Sequence, residues 1–212
     1  ENWKYFTYVA MITNRRLGQY NKVYTPAENP GIFSFKNVIW TGLYDLSFLR
    51  ANNIRFHESP GASYQDNGFW FLTMCQAKRL MYFERDYYML RRDNPNSSVH
   101  SKGKVFCMCD EYAYIRDELR KKPELEAEFA PLLAHARFRN YEWNYERIGD
   151  EFKDLFLERF SSDFRELMAA GEIHGEYFNM EESIRLRMIL EDPAAYKFHR
   201  LSVENRENTK YY

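Results

Sequence analysis

The sequence predicts an α+β chain that is mostly helical, with two or three short strands. Three observations lead there. From Lys102 onward, apolar residues recur every three or four positions through most of the remaining chain. Strand-like patterning is confined to Ile54–His57, which alternates, and to Met81–Leu90, which is rich in Tyr and Phe. Pro, Gly and Asn collect between residues 21 and 37 and between 91 and 98, where loops are expected.

Taken in order, residues 1–20 read as an aromatic helix-like segment, with Trp3, Phe6, Tyr8, Val9 and Ile12 near helical spacing. Pro26, Asn29, Pro30 and Gly31 make residues 21–37 a loop. Leu43, Tyr44, Leu46, Phe48 and Leu49 predict a short helix that stops at Asn52-Asn53. Ile54–His57 reads as a strand and Ser59-Pro60-Gly61-Ala62 as a turn. Ser63 to Leu80 reads as a helix: Ser63 and Asp66 have capping-box spacing, and Phe69, Trp70, Thr73, Met74, Ala77 and Leu80 share a face. A strand over Met81–Leu90 then leads into a polar loop, Arg91 to Ser98.

Val105, Phe106, Cys109, Tyr112, Ile115 and Leu119 keep helical spacing. Pro123 and Pro131 punctuate, and a long pattern runs through Leu132, Ala136, Ile148, Phe152, Leu155 and Phe156 to Phe160. Ser161-Ser162-Asp163 reads as a new N-cap. Asn179 with Glu182, and Asp192 before Pro193, read as two further helix starts. The polar end, Ser202 to Tyr212, is expected to fray.

The chain has 212 residues, 45 % of them hydrophobic and 29 % charged, so disorder is excluded and a packed core is within reach. Aromatic residues make up 18 % of it, a level that supplies large buried surfaces and also suits polar ring-shaped ligands such as sugars. No apolar run approaches the ~20 residues of a membrane helix, and Glu1-Asn2-Trp3-Lys4-Tyr5 carries no secretory pattern. The three cysteines are too few for a disulfide scaffold and suit a reducing compartment. The formal charge of −1 hides an asymmetry: residues 1–104 hold 14 Lys and Arg against 8 Asp and Glu, whereas residues 105–212 hold 16 against 23. This fits an anionic partner on the first half, or equally two halves docked on each other or an acidic solvated helical surface.

Several chemistries are absent from the sequence. There is no glycine-rich phosphate loop, no G-x-S-x-G elbow and no paired histidines, and Cys107-Met108-Cys109 lacks the second pair a zinc site needs. Two places remain. In Gly61-Ala62-Ser63-Tyr64-Gln65-Asp66-Asn67-Gly68-Phe69-Trp70, the Asp66 carboxylate opens a helix among aromatics. It fits a general base and equally a helix-terminus cap. In Tyr87-Tyr88 and Arg91-Arg92-Asp93-Asn94-Pro95-Asn96-Ser97-Ser98, paired arginines with Asn and Ser donors suit a phosphate-bearing ligand, or form an ordinary solvated turn.

In order and spacing, Trp40-Thr41-Gly42-Leu43-Tyr44, Asn53-Ile54-Arg55-Phe56, the Gly61–Trp70 block, Ala77-Lys78-Arg79, Tyr87-Tyr88 and the Arg91–Ser98 block together resemble the acceptor-side half of bacterial family-2 glycosyltransferases. The resemblance covers residues 36–115. It implies the C-terminal part of a glycosyltransferase type-A α/β fold, with residues 1–115 as the acceptor-side part of the catalytic domain and 116–212 as a helical region. It implies inverting transfer from a nucleotide-sugar donor to a saccharide or lipid-linked acceptor hydroxyl, in polysaccharide or lipopolysaccharide synthesis. Asp66 takes the position of the base, with Gln65 where an acidic residue is common in the family. Arg91, Arg92, Asn94, Ser97, Ser98 and His100 fall along the donor diphosphate, and Trp40, Tyr64, Gln65 and Trp70 at the acceptor pocket. Gly42 stands where the family often has Lys.

The resemblance also implies a divalent metal, Mg or Mn, for the complete enzyme, although no motif in this chain holds one. The D-x-D motif and the parallel sheet of the family's nucleotide-binding half are not found here. The isolated chain is therefore expected not to turn over a sugar nucleotide, and a severed sheet edge would favour a homodimer. The expected setting is cytoplasmic, with peripheral association at the inner face of the membrane. A non-catalytic aromatic-rich helical module binding a protein or carbohydrate is the main alternative. Nucleic-acid binding by the basic half ranks below both, and no nucleic-acid partner is expected.

Overall fold

Amphipathic spacing from Cys107 onward produces a stack of helices in which each packs on the next in the chain. The computed structural model describes residues 3–5, 20–34, 37–60, 64–83, 88–91 and 104–209. Among these residues the helices are α1 (Leu46–Ala51), α2 (Gln65–Gln76), α3 (Cys107–Arg120), α4 (Pro123–Arg147), α5 (Lys153–Ala169), α6 (Met180–Glu191) and α7 (Pro193–Thr209). Single 3-10 turns occupy Pro30–Ser34, Ile39–Thr41, Asp150–Phe152 and Gly175–Tyr177. The chain is mostly helical. No described helix is long and apolar enough to cross a membrane.

The sheet differs from expectation. Among the described residues it consists of β1 (Trp3–Tyr5) antiparallel to β2 (Met89–Arg91), with Trp3 opposite Arg91 and Tyr5 opposite Met89. Single bridges join Tyr20 to Tyr82 and Tyr24 to Leu80. This is not a type-A α/β fold. Trp3–Tyr5 is a strand rather than the start of a helix, and the rest of that predicted segment, up to residue 19, lies outside the described residues. Ile54–His57 forms no strand and pairs with no strand among the described residues. Its alternation has another cause: Ile54 is buried, the Phe56 ring stacks on Phe69 at 4.3 Å, and the His57 ring stacks on Tyr114 at 4.2 Å. Aromatic contacts with two different helices therefore fix the segment.

Helix boundaries show which local signals hold. Asp45 caps α1, accepting from the Ser47 and Phe48 amides, and the helix ends at Asn52 as its composition predicts. Asn179 and Glu182 form a full capping box at α6. Asp192 accepts from the Ala195 amide at 3.1 Å and starts α7. Pro123 sits in the first turn of α4, where its missing amide hydrogen is harmless. Pro131, by contrast, does not punctuate: α4 runs through it for 25 residues, with Phe129, Ala130, Pro131, Leu132 and Leu133 all buried. The apolar pattern expected to continue to Phe160 is broken at Ile148-Gly149 instead, before α5 begins. The polar end stays helical as far as Thr209.

Ser161-Ser162-Asp163 is likewise no helix start. It lies inside α5, where Ser161 and Asp163 are buried. Asp163 satisfies its oxygens in the core: the Tyr141 hydroxyl donates to Oδ2 at 2.7 Å, Arg159 Nε donates to Oδ1 at 2.8 Å, and Arg137 pairs with Oδ2. Around this cluster Phe138, Tyr141, Phe156, Phe160 and Phe164 meet edge to face or tilted, at 5–6 Å between ring centres. One apolar core runs from Tyr24 to Tyr196. The division expected between residues 115 and 116 falls inside α3.

Candidate active site

Helix α2 starts abnormally. Its N-cap is Tyr64 in the left-handed region, φ 67° and ψ 23°, with no side-chain cap. A bulky residue there is strained by about 1–3 kcal/mol and persists only when its surroundings impose it. Asp66 is therefore the second residue of the helix and not the closing member of a Ser63 box; Ser63 itself lies outside the described residues.

The imposing contacts come from distant parts of the chain. The Tyr64 hydroxyl donates to Asn144 Oδ1 on α4 at 3.3 Å, and Asn144 donates to the Val105 carbonyl at 3.1 Å. Gln65 Nε2 donates to the Ser59 carbonyl at 3.2 Å and to its hydroxyl at 2.9 Å. Asn67 Nδ2 donates to the Tyr64 carbonyl at 3.0 Å, and Asn37 Nδ2 donates to Asn67 Oδ1 at 2.9 Å. Glu111, on the buried face of α3, accepts the Gly68 amide at 3.0 Å with Oε1 and meets His57 Nδ1 at 2.9 Å with Oε2. Gly68 is required for this approach, because a Cβ there would lie 2.2 Å from Glu111 Oε1.

Asp66 is half-buried in this frame. Burial raises its carboxyl above the ordinary range, partly offset by its own amide and that of Asn67, which favour the charged form. Burial also raises Glu111, against the pull of His57 and the Gly68 amide, and the Asp66 charge adds to that rise. A carboxylate that holds its proton more tightly than a solvated one is a stronger base when ionised.

The other predicted residues fall out differently. Tyr64 and Gln65 directly precede Asp66, and the Gln65 amide is committed to Ser59. Trp40 is 37 % exposed, its ring 6.2 Å from that of Tyr88. Its segment lies beside α2, since Tyr44 packs on Phe69 at 5.1 Å. Trp70 does not fit an acceptor pocket: it is 6 % exposed and packs edge-on against Phe33 in the core. Arg91 is in β2, and its side chain is not described. Arg92, Asn94, Ser97, Ser98 and His100 lie outside the described residues.

Two surface cavities lie elsewhere. One of about 270 Å³ is lined by Leu46, Leu49, Arg50, Asn53, Ile54 and Arg55. The other, about 170 Å³, gathers Arg116, Arg120, Arg137 and Arg159. Arg116, Arg137 and Arg159 are already matched by Glu166, Glu172 and Asp163. Asp66 lines neither cavity.

Sequence reasoning missed Glu111, His57 and Gly68. A signal existed for Glu111: it sits three residues after Met108 and four before Ile115, a carboxylate on the apolar stripe of α3. No protein-family model matches the chain, and no curated protein or solved structure matches it either.

Proposed function

We propose that this chain is the acceptor-side part of an inverting family-2 glycosyltransferase, working at the cytoplasmic face of the membrane on a cell-surface polysaccharide or lipopolysaccharide. Asp66 is its general base. The observation that supports this reading is the construction of the α2 start. Hydrogen bonds from four separate segments fix a strained backbone beside one half-buried carboxylate whose proton affinity burial raises. A helix that merely needed a cap would not need this support.

In the reaction, Asp66 takes the proton from an acceptor hydroxyl as its oxygen attacks the anomeric carbon of the donor sugar. The bond to the nucleoside diphosphate breaks on the opposite face, and its electron pair leaves on the phosphate oxygen. The nucleotide-sugar donor, with the parallel sheet and D-x-D motif that grip it, belongs in this reading to a preceding half. Among the described residues no group of three carboxylate, imidazole or thiol side chains converges. In this reading the residues that would hold the family's Mg or Mn ion belong to the same preceding half.

The test joins this chain to a nucleotide-binding half and measures nucleoside diphosphate release with acceptor present. Asp66→Asn should lower transfer by at least ~10²-fold, with donor binding kept and thermal stability not lowered. Full activity in that variant would reduce Asp66 to a helix-start carboxylate. It would favour the non-catalytic carbohydrate- or protein-binding module.

A further inference from the structure

Helix α4 places one exposed ring against the α2 start. At this turn it buries Tyr141, Glu142, Asn144 and Tyr145 and leaves Trp143 41 % exposed. Single exposed apolar side chains are ordinary, but Trp143 is held in place from two directions. The Arg147 guanidinium, one turn further on, lies 4.1 Å from its ring centre. Tyr64 meets it edge-on, 5.8 Å between centres at 80°. Tyr64 is in turn fixed by its hydrogen bond to Asn144, the residue after Trp143. Successive residues of α4 therefore grip the same tyrosine, two positions before Asp66.

We infer that Trp143, braced by Tyr64 and Arg147, is a stacking platform for a pyranose ring of the acceptor. A flat, partly desolvated and immobilised indole suits the axial C–H face of a sugar whose hydroxyls are equatorial, and it binds at low entropic cost because the ring is already ordered. Polar groups at the rim orient such a ligand: the Tyr64 oxygen, which donates to Asn144, retains acceptor capacity. The inference rests on the glycosyltransferase reading for the word acceptor, while the sugar-binding platform itself rests on the geometry.

The test uses the 212-residue chain. The Trp143 indole N–H resonance, assigned through Trp143→Phe, is followed while methyl β-glucoside, methyl β-galactoside and methyl β-N-acetylglucosaminide are added separately, with uridine diphosphate as a parallel arm. At least one glycoside should shift it saturably. Trp143→Ala should weaken that binding by about 3- to 10-fold and Trp143→Phe less, with thermal melts confirming that each variant is folded. No saturable shift from any glycoside, a response to the nucleotide alone, or unchanged affinity in Trp143→Ala overturns the inference. Joined to a nucleotide-binding half, Trp143→Ala should raise acceptor KM and spare kcat, the reverse of Asp66→Asn. Glycoside binding at Trp143 alongside full activity in Asp66→Asn would sink the catalytic reading and leave the platform standing.

Discussion

Replacing Gly68 by alanine tests whether α2 is built around Glu111. In a helix without neighbours the change stabilises by about 0.5–1 kcal/mol, because alanine loses less backbone freedom. Here the new methyl would lie 2.2 Å from Glu111 Oε1, so the carboxylate must move, whereas Glu111 Cδ at 3.4 Å and Ile115 Cγ1 at 3.5 Å are ordinary contacts. Glu111 is 1 % exposed, so its carboxylate cannot retreat to water. Displacing it loses the Gly68 hydrogen bond, about 1.5–3 kcal/mol for a bond to a charged group, and adds about 1–3 kcal/mol of overpacking. After the helical gain, the net loss is roughly 2–5 kcal/mol, a fall in Tm of roughly 4–20 °C for a chain of this size. Urea unfolding followed by far-UV circular dichroism reads it. The same substitution made in Glu111→Ala should lose most of its penalty, because the clash is then gone. Equal penalties in the two backgrounds, or a more stable Gly68→Ala, would refute the reasoning.

Three further outcomes follow from the described contacts. Burial raises the Asp66 carboxyl, so the native chain keeps that proton to a higher pH than the unfolded chain does. The resulting penalty is absent below the unfolded value of about 3.9, grows as pH rises through the folded value and is complete above it. Asp66→Asn should therefore stabilise the chain at pH 7, with the gain fading toward pH 3, as thermal melts across pH would show. Asn179→Ala removes the capping box of α6 and should cost about 1 kcal/mol in urea unfolding. Cys109 is buried, which pushes its thiol up to about 12, and burial raises Cys75 as well. A thiol-reactive dye should label only Cys107, the half-buried one, at once, and the other two on unfolding.

Local signals were readable where the partner lies within one turn. Asn179 and Asp192 cap the helices that follow them, as their spacing predicts, whereas Asp45, inside the segment expected to be helical, is the cap that delays α1 to Leu46. The same vocabulary misleads where the partner is remote. Ser161-Ser162-Asp163 has the composition of a helix start, yet Asp163 finds its donors on α4 and one turn back on α5, so nothing stops the helix there. Pro131 reads as a break, but burial on α4 outweighs its lost hydrogen bond. At the candidate site Asp66 stood out in the sequence. Its real support did not, because Tyr64 is held left-handed by Asn144, eighty positions away. Spacing along one segment carries no trace of such a contact. Glu111 is intermediate: its place on an apolar stripe was visible, and its target, the Gly68 amide, was not.

Asp163 has an evolutionary implication. One carboxylate inside the protein serves a phenol and two guanidinium groups, so the arrangement is a hub with spokes. Losing any single spoke leaves the hub neutralised by the others. Losing the hub strands two cations, one of them almost wholly enclosed. Drift at this locus is therefore ordered: as far as charge is concerned the half-exposed Arg159 changes first, and the acceptor moves last.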